Sequence, residues 1–273
     1  MLSNELNLNN LPLETLETLR HEADVFLFKQ DHQGEDYTAR YRQDKNFDEL
    51  LSRTVELKDR VYSFLLSQKR NIRQLVVIRS FVLAAEEDEV EYERYYLYPQ
   101  AWIEQNKKLA AVLVDFLFPI LLLGIGSMEQ EKRYHSKVHD DNSTITENLR
   151  EYSLNLAGNI NETTKKMIVQ QIRTSTALAE SQEKLASRLK GILDNEKRAE
   201  LIAQTESVRA YSRGRREIAD ELGLTTKTWE ATWGACPICG ELSNTTVNKD
   251  DQFPGGYDEP PAHPRCKCSI RYE

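Results

Sequence analysis

Apolar residues recur at three- and four-residue steps over most of the chain, and that periodicity predicts a succession of helices. Residues 13–30 and 47–85 read as two of them, the second carrying Leu50, Leu51, Val55, Leu57, Val61 and Leu65. The polar segment 30–46 between them reads as a loop. A mostly acidic run follows, Glu86-Glu-Asp-Glu-Val-Glu-Tyr-Glu93, then Tyr95-Tyr-Leu-Tyr98 and Pro99. A run of one sign is a solvated linker in its plain reading and a clamp for a basic partner in its sharper one, and Pro99 marks a subdomain boundary.

The twenty residues Leu109–Met128 include twelve Leu, Ile, Val or Phe, which is long and apolar enough to span a bilayer. Against a membrane stand Asp115, which would cost roughly 2.5–3.5 kcal/mol near a bilayer centre, and Pro119. The preferred expectation is a fully buried pair of helices broken at Pro119.

Further on, Thr144-Ile-Thr-Glu147 has capping-box spacing, and the helix it opens is expected to stop at Gly158. Asn161-Glu-Thr-Thr opens another, with Met167, Ile168 and Ile172 on one face. A third begins near Ser181 and carries Leu185, Leu189 and Ile192. The fourth and longest runs from about Asn195 to Leu222, presents Ala199, Ile202, Val208, Tyr211, Ile218 and Leu222, and has Gly223 where a left-handed cap belongs. From Trp229 the texture turns to short, turn-rich pieces. Trp229-Glu-Ala-Thr-Trp233 alternates like a strand, with Cys268-Ser-Ile-Arg-Tyr272 as its candidate partner.

Composition sharpens this division. Gly and Pro number only 11 and 8 in 273 residues, and nine of those nineteen fall within 234–273, together with all four cysteines. A disulfide-stapled scaffold is therefore excluded for most of the chain. A net charge of −8 excludes a generally basic nucleic-acid coat and leaves only a local patch to meet phosphate. The start, MLSNELNLNNLPLETLETLRHE, has neither the basic region nor the unbroken apolar region of a secretory leader.

The cysteines form a pattern. Cys236-Pro-Ile-Cys239 is followed after 23 residues by His263-Pro-Arg-Cys266-Lys-Cys268. A Cys-x-x-Cys turn aims two thiolates at one centre, and a distant second pair closes a tetrahedron. Cys236, Cys239 and Cys266 are the firm ligands, and the fourth place stays open between Cys268 and His263. In an extended Cys-x-Cys, alternate side chains face opposite ways, so Cys266 and Cys268 share an ion only if the chain bends there. Structural zinc is the expectation, against a reduced metal-free cluster or two disulfides. A catalytic ion lacks its usual companions, since neither His-Glu-x-x-His nor a His-x-Glu partner occurs. His135 and His139 have i,i+4 spacing beside Asp140 and Asp141, but without the intervening Glu they read as a solvated helical face.

The series Arg198-Ala-Glu-Leu-Ile-Ala-Gln-Thr-Glu206, Ala210, Gly223, Trp229, Cys236-Pro-Ile-Cys239 and Pro260-Pro-Ala-His-Pro-Arg-Cys-Lys-Cys268 resembles the phage head morphogenesis proteins, the Mu F-like minor capsid proteins. The resemblance covers about residues 146–273; the first 145 carry no comparable motif, and family members commonly have a variable helical N-terminal part. Gln204 and Lys267 stand where the family usually has Arg, and Lys cannot reproduce a bidentate Arg contact. The resemblance implies a minor virion protein made in a bacterial host, present in few copies inside the capsid at the portal vertex. Its implied partners are the portal protein, other head or scaffold proteins and packaged DNA, with roles in head assembly, DNA packaging or DNA delivery. Some relatives carry a fused toxin or ADP-ribosyltransferase domain; with five residues after Cys268, none is expected here.

Two further groups are candidates for chemistry. Glu206 would be a general base only beside a nucleophile or substrate pocket; pairing with an Arg, or accepting from a backbone N–H of the tail, with Thr205 as its packing neighbour, is the preferred role. Arg209, Arg213, Arg215 and Arg216 are the densest basic patch, either a solvated face balanced by Glu217, Asp220 and Glu221 or a contact for DNA phosphates or an acidic portal surface. The sequence thus predicts a mainly α protein: an elongated helical body with a small zinc-stabilised α+β C-terminal subdomain. Its parts are an N-terminal helical region (1–98), an apolar helical segment (99–145) and a Mu F-like domain (146–273), the last divided into helices (146–223) and a zinc-binding tail (229–273). No enzymatic activity and no membrane contact are expected. The rival readings are a metal-dependent nuclease or toxin-like enzyme using Glu206, and a membrane-inserting delivery factor using 109–128.

Overall fold

The structure, a computed structural model, describes residues 46–76, 97–139, 141–178, 180–231 and 235–273. The expected helix at 13–30, the far end of the one at 47–85, the acidic run 86–93 and Trp233 lie outside the described residues.

Helix α1 (Phe47–Arg70) has Asp48 and Glu49 in its first turn and Lys69 and Arg70 in its last, each sign at the end where the helix dipole favours it. It stops at Asn71, short of the sequence expectation, and a single turn, α2 (Ile72–Leu75), leads to Val76, which bridges Leu97. Pro99 occupies the first turn of α3 (Pro99–Lys132), where its missing N–H is harmless.

Helix α3 corrects the expectation of a break, because it runs unbroken through Pro119. The carbonyl that Pro119 cannot engage is that of Asp115, and Asp115 is exposed, so water can satisfy it. Packing then outweighs the local signal: Leu109, Leu113, Leu117, Ile120, Leu121 and Ile125 are buried against α1, α4 (Ser143–Ala177) and α6 (Glu196–Glu221). Nor is the segment fully buried, since Ala111 and Asp115 face solvent. By length and composition α3 could cross a membrane; here it is the central helix of the body.

Helix α4 supplies a second correction. It neither stops at Gly158 nor restarts at Asn161 but continues for 35 residues. Asn161 is buried and bonded to two other helices, accepting from Gln68 Nε2 and donating to Asn106 Oδ1, both at 2.8 Å, so its amide is spent on tertiary contacts rather than on a cap. The capping box does not form either. The helix begins at Ser143, which places Thr144 inside it, and Glu147 turns to Arg150.

The remaining helices follow their caps. Ser181 accepts the Lys184 N–H at the start of α5 (Gln182–Leu193), and Asn195 accepts the Arg198 N–H at the start of α6. Gly223, at φ 64°, closes α6, with the Leu224 N–H reaching back to the Ala219 carbonyl. Helices α3 and α6 cross in backbone contact. A Cβ added to Gly124 would lie 2.1 Å from the Tyr211 carbonyl oxygen, and one on Gly214 would lie 2.0 Å from that of Leu121. A smaller second core joins Leu75, Trp102, Ile168, Ile172, Leu185 and Leu189.

The tail is a three-stranded antiparallel sheet in the order β2-β1-β3, built from β1 (Thr226–Glu230), β2 (Thr246–Asn248) and β3 (Ser269–Tyr272). The expected pairing is present, with Trp229 opposite Ile270, although the first strand starts earlier than predicted. A short helix, α7 (Pro237–Leu242), separates β1 from β2. Trp229 is buried edge-on to Phe253, with ring centroids 5.2 Å apart.

Candidate functional site

The Cys/His residues converge. Cys236 and Cys239 lie at the start of α7, on a turn closed by the Gly240 N–H to the Cys236 carbonyl. His263 and Cys266 lie on a second turn, closed by the Cys266 N–H to the His263 carbonyl, with Arg265 left-handed at φ 62°. The turns bring His263 Nε2 to 3.0 Å from Cys236 Sγ and 3.4 Å from Cys239 Sγ, and Cys239 Sγ to 3.7 Å from Cys266 Sγ. The donors form two triads that share Cys239: Cys236–Cys239–His263 and Cys239–Cys266–Cys268, each within 4.8 Å throughout. The chain therefore does bend enough for Cys266 and Cys268 to face one centre. Burial pushes the Cys239 thiol up to about 12, whereas the hydrogen bond with Cys268 draws Cys266 down to about 5. Such a set of sulfur and imidazole donors suits a tetrahedral divalent ion.

The tail is stitched to α6 on both sides of this cluster. The Arg265 N–H donates to Thr205 Oγ1 at 3.2 Å, and its guanidinium lies 3.6 Å from Glu200. At the other end, Arg216 binds Glu259 and Asp250 at 2.9 and 3.0 Å. Burial pushes the Glu259 carboxyl up, against the pull of the Arg216 guanidinium. Lys227, 1% exposed, donates to the Asp258 carbonyl from above the Phe253 ring.

Between α3, α4, α6 and the loop 250–261 lies a cleft of about 720 Å³. Leu117, Leu121, Ile145 and Leu149 form its apolar lining, while Arg209, Arg213 and Tyr152 supply polar edges. Glu206 pairs with Arg209 at 3.2 Å, the first of its two expected roles, and also accepts from the Tyr152 hydroxyl; the tail N–H goes to Thr205. Burial raises the Tyr152 phenol well above its usual range, and the Glu206 charge adds to the effect.

The four arginines do not share one face, although Arg213 and Arg216 do pair with Glu217 and Asp220 as the balanced reading expects. Arg215 is buried and binds Ser127 and Glu131 of α3 at 2.9 and 2.6 Å. Arg216 is committed to the tail. Arg209 and Arg213 remain about half exposed, paired with Glu206 and Glu217. His135 and His139 share no α-helix, since Tyr134 to Ser136 are irregular and His139 ends a 3₁₀ turn. Tyr152, Glu259, Ser127 and Glu131 went unnoticed in the sequence because their partners lie 43 to 88 residues away and no spacing rule connects them.

A long helical body thus carries a small Cys/His-bearing sheet unit on the end of α6. Residues 164–271 match the family model described as Phage Mu protein F like protein, and that span is similar to this family. The match supports a phage head morphogenesis protein and suggests association with the virion and with other head components. Comparisons with curated proteins and with solved structures gave no match.

Proposed function

We propose that this chain is a minor head protein that docks on the portal vertex from inside the capsid and acts in head assembly, DNA packaging or DNA delivery. The family match across α6 and the tail carries this reading. Charge favours a protein partner over DNA. The chain has net charge −8, and each of the four candidate arginines already has a carboxylate within its own fold. Arg209 and Arg213, beside the apolar lining of the cleft, are the patch residues that a portal or other head protein would meet. DNA contact is the lesser part of the proposal, because displacing Glu206 and Glu217 would offset what phosphates contribute.

The protein acts without catalysis in this account. Glu206 serves α4 and α6 as an acceptor, so incubation with DNA or NAD should yield no turnover that Glu206→Gln removes. The docking reading is tested by co-expressing the chain with its portal protein. Co-elution is expected, and it should weaken when Arg209 and Arg213 both become Glu; separate elution of the wild-type chain would contradict it.

A further inference from the structure

The geometry points to a specific ligand set: we propose that one zinc ion is held by Cys236, Cys239, Cys266 and His263, with Cys268 as a reserve thiol beside it. Metal binding is a property of the purified chain, so it stands or falls independently of any head partner.

Three separations and the orientation of His263 carry the assignment, with Cys266 joined to the Cys236–Cys239–His263 triad through Cys239. Bonds of about 2.3 Å for Zn–S and about 2.0–2.1 Å for Zn–N place two thiolates about 3.8 Å apart, and a thiolate about 3.6 Å from an imidazole nitrogen. The Cys239–Cys266 separation of 3.7 Å and the His263–Cys239 separation of 3.4 Å lie close to those edges, and the 3.0 Å from His263 to Cys236 relaxes outward as an ion enters. His263 is also oriented for the task. Its Nδ1 lies 2.8 Å from the Pro264 carbonyl, which makes Nδ1 the protonated nitrogen and leaves the Nε2 lone pair facing the thiols.

Cys239 belongs to both triads and is the hub around which the set closes. Cys268 touches the cluster through Cys239 and Cys266 and immediately precedes β3. The turn carrying His263 lies outside the strands, closed by the Cys266 N–H to the His263 carbonyl and tied to α6 by the Arg265 N–H. The charge balance is simple. A neutral imidazole and three thiols take up Zn²⁺ with release of three protons, leaving a site of net charge −1 among mostly buried groups.

The test uses the full chain loaded with Zn²⁺, desalted and assayed by elemental analysis, then reloaded with Co²⁺ for absorption spectroscopy. Far-UV circular dichroism of each variant reports whether the helical body is intact. The wild type should hold about one zinc per chain and give a three-sulfur, one-nitrogen cobalt spectrum. Cys236→Ser, Cys239→Ser and Cys266→Ser should each weaken binding at least about tenfold. Cys268→Ser should keep both the ion and the spectrum. His263→Asn should release the ion or shift its cobalt spectrum to all-sulfur, as Cys268 takes the vacated place. A metal-free wild type, retention of the ion by Cys239→Ser, loss of it from Cys268→Ser, or an unchanged spectrum in His263→Asn would each overturn the assignment.

Discussion

Where α3 crosses α6, Gly124 lies against the Tyr211 carbonyl and Gly214 against that of Leu121, so the backbones touch and the body closes around long rows of buried Leu, Ile and Ala. The C-terminal unit joins the same core with fewer side chains. Its three short strands bury Trp229, Phe253, Ile270 and Tyr272, and the rest of its cohesion comes from ion pairs, polar bonds and the Cys/His cluster. The body can rely on apolar burial, which scales with size, whereas a unit this small depends on a few specific contacts whose removal should be felt locally. Tail contacts and body contacts should therefore fail separately.

The largest effect is expected in the body. Gly214→Val drives a side chain into the Leu121 backbone and should lower stability by about 3 kcal/mol or more, read from chemical denaturation of the helical signal. A change within about 0.5 kcal/mol would deny the close crossing. Next comes Arg216→Met, which leaves Glu259 without its cation and should cost about 2 kcal/mol. Faster hydrogen exchange should then be confined to the tail, and a rise spread equally through α1 and α3 would erase the distinction between the regions.

Glu206→Gln should cost about 1 kcal/mol, since the amide still accepts from Tyr152 but no longer pairs with Arg209. The smallest effect concerns Asp194, which joins the α5–α6 corner to α1. The hydrogen bond from Lys69, and then that from Tyr62, hold its carboxyl below the usual carboxylate range. A depressed folded value means that its contribution is present above the unfolded carboxylate pKa and is lost as pH falls through the folded value. In Asp194→Asn that part of the acid-side loss of stability should vanish from a urea titration across pH.

The legible parts of this fold were those set by local signals. Asn195 and Gly223 bracket α6 as capping chemistry requires, and Ser181 starts α5 where the pattern placed it. Cys-x-x-Cys and His-x-x-Cys identified the cluster because turn geometry fixes where closely spaced donors point. The misreadings occurred where tertiary contacts outvoted equally good local signals. Pro119 sits within a helix packed on three others, and Asn161 gave its amide to Gln68 and Asn106. The arginine patch divides for a related reason: adjacent residues on a helix point in different directions, so Arg215 and Arg216 meet α3 and the tail respectively.

The central claim, that this chain is a head component fixed at the portal vertex, is tested most directly by quantitative mass spectrometry of purified phage heads assembled with and without the portal protein. A small, constant number of copies in portal-containing heads and none in portal-less heads is the predicted result. Equal incorporation into both, or absence from both, would contradict it.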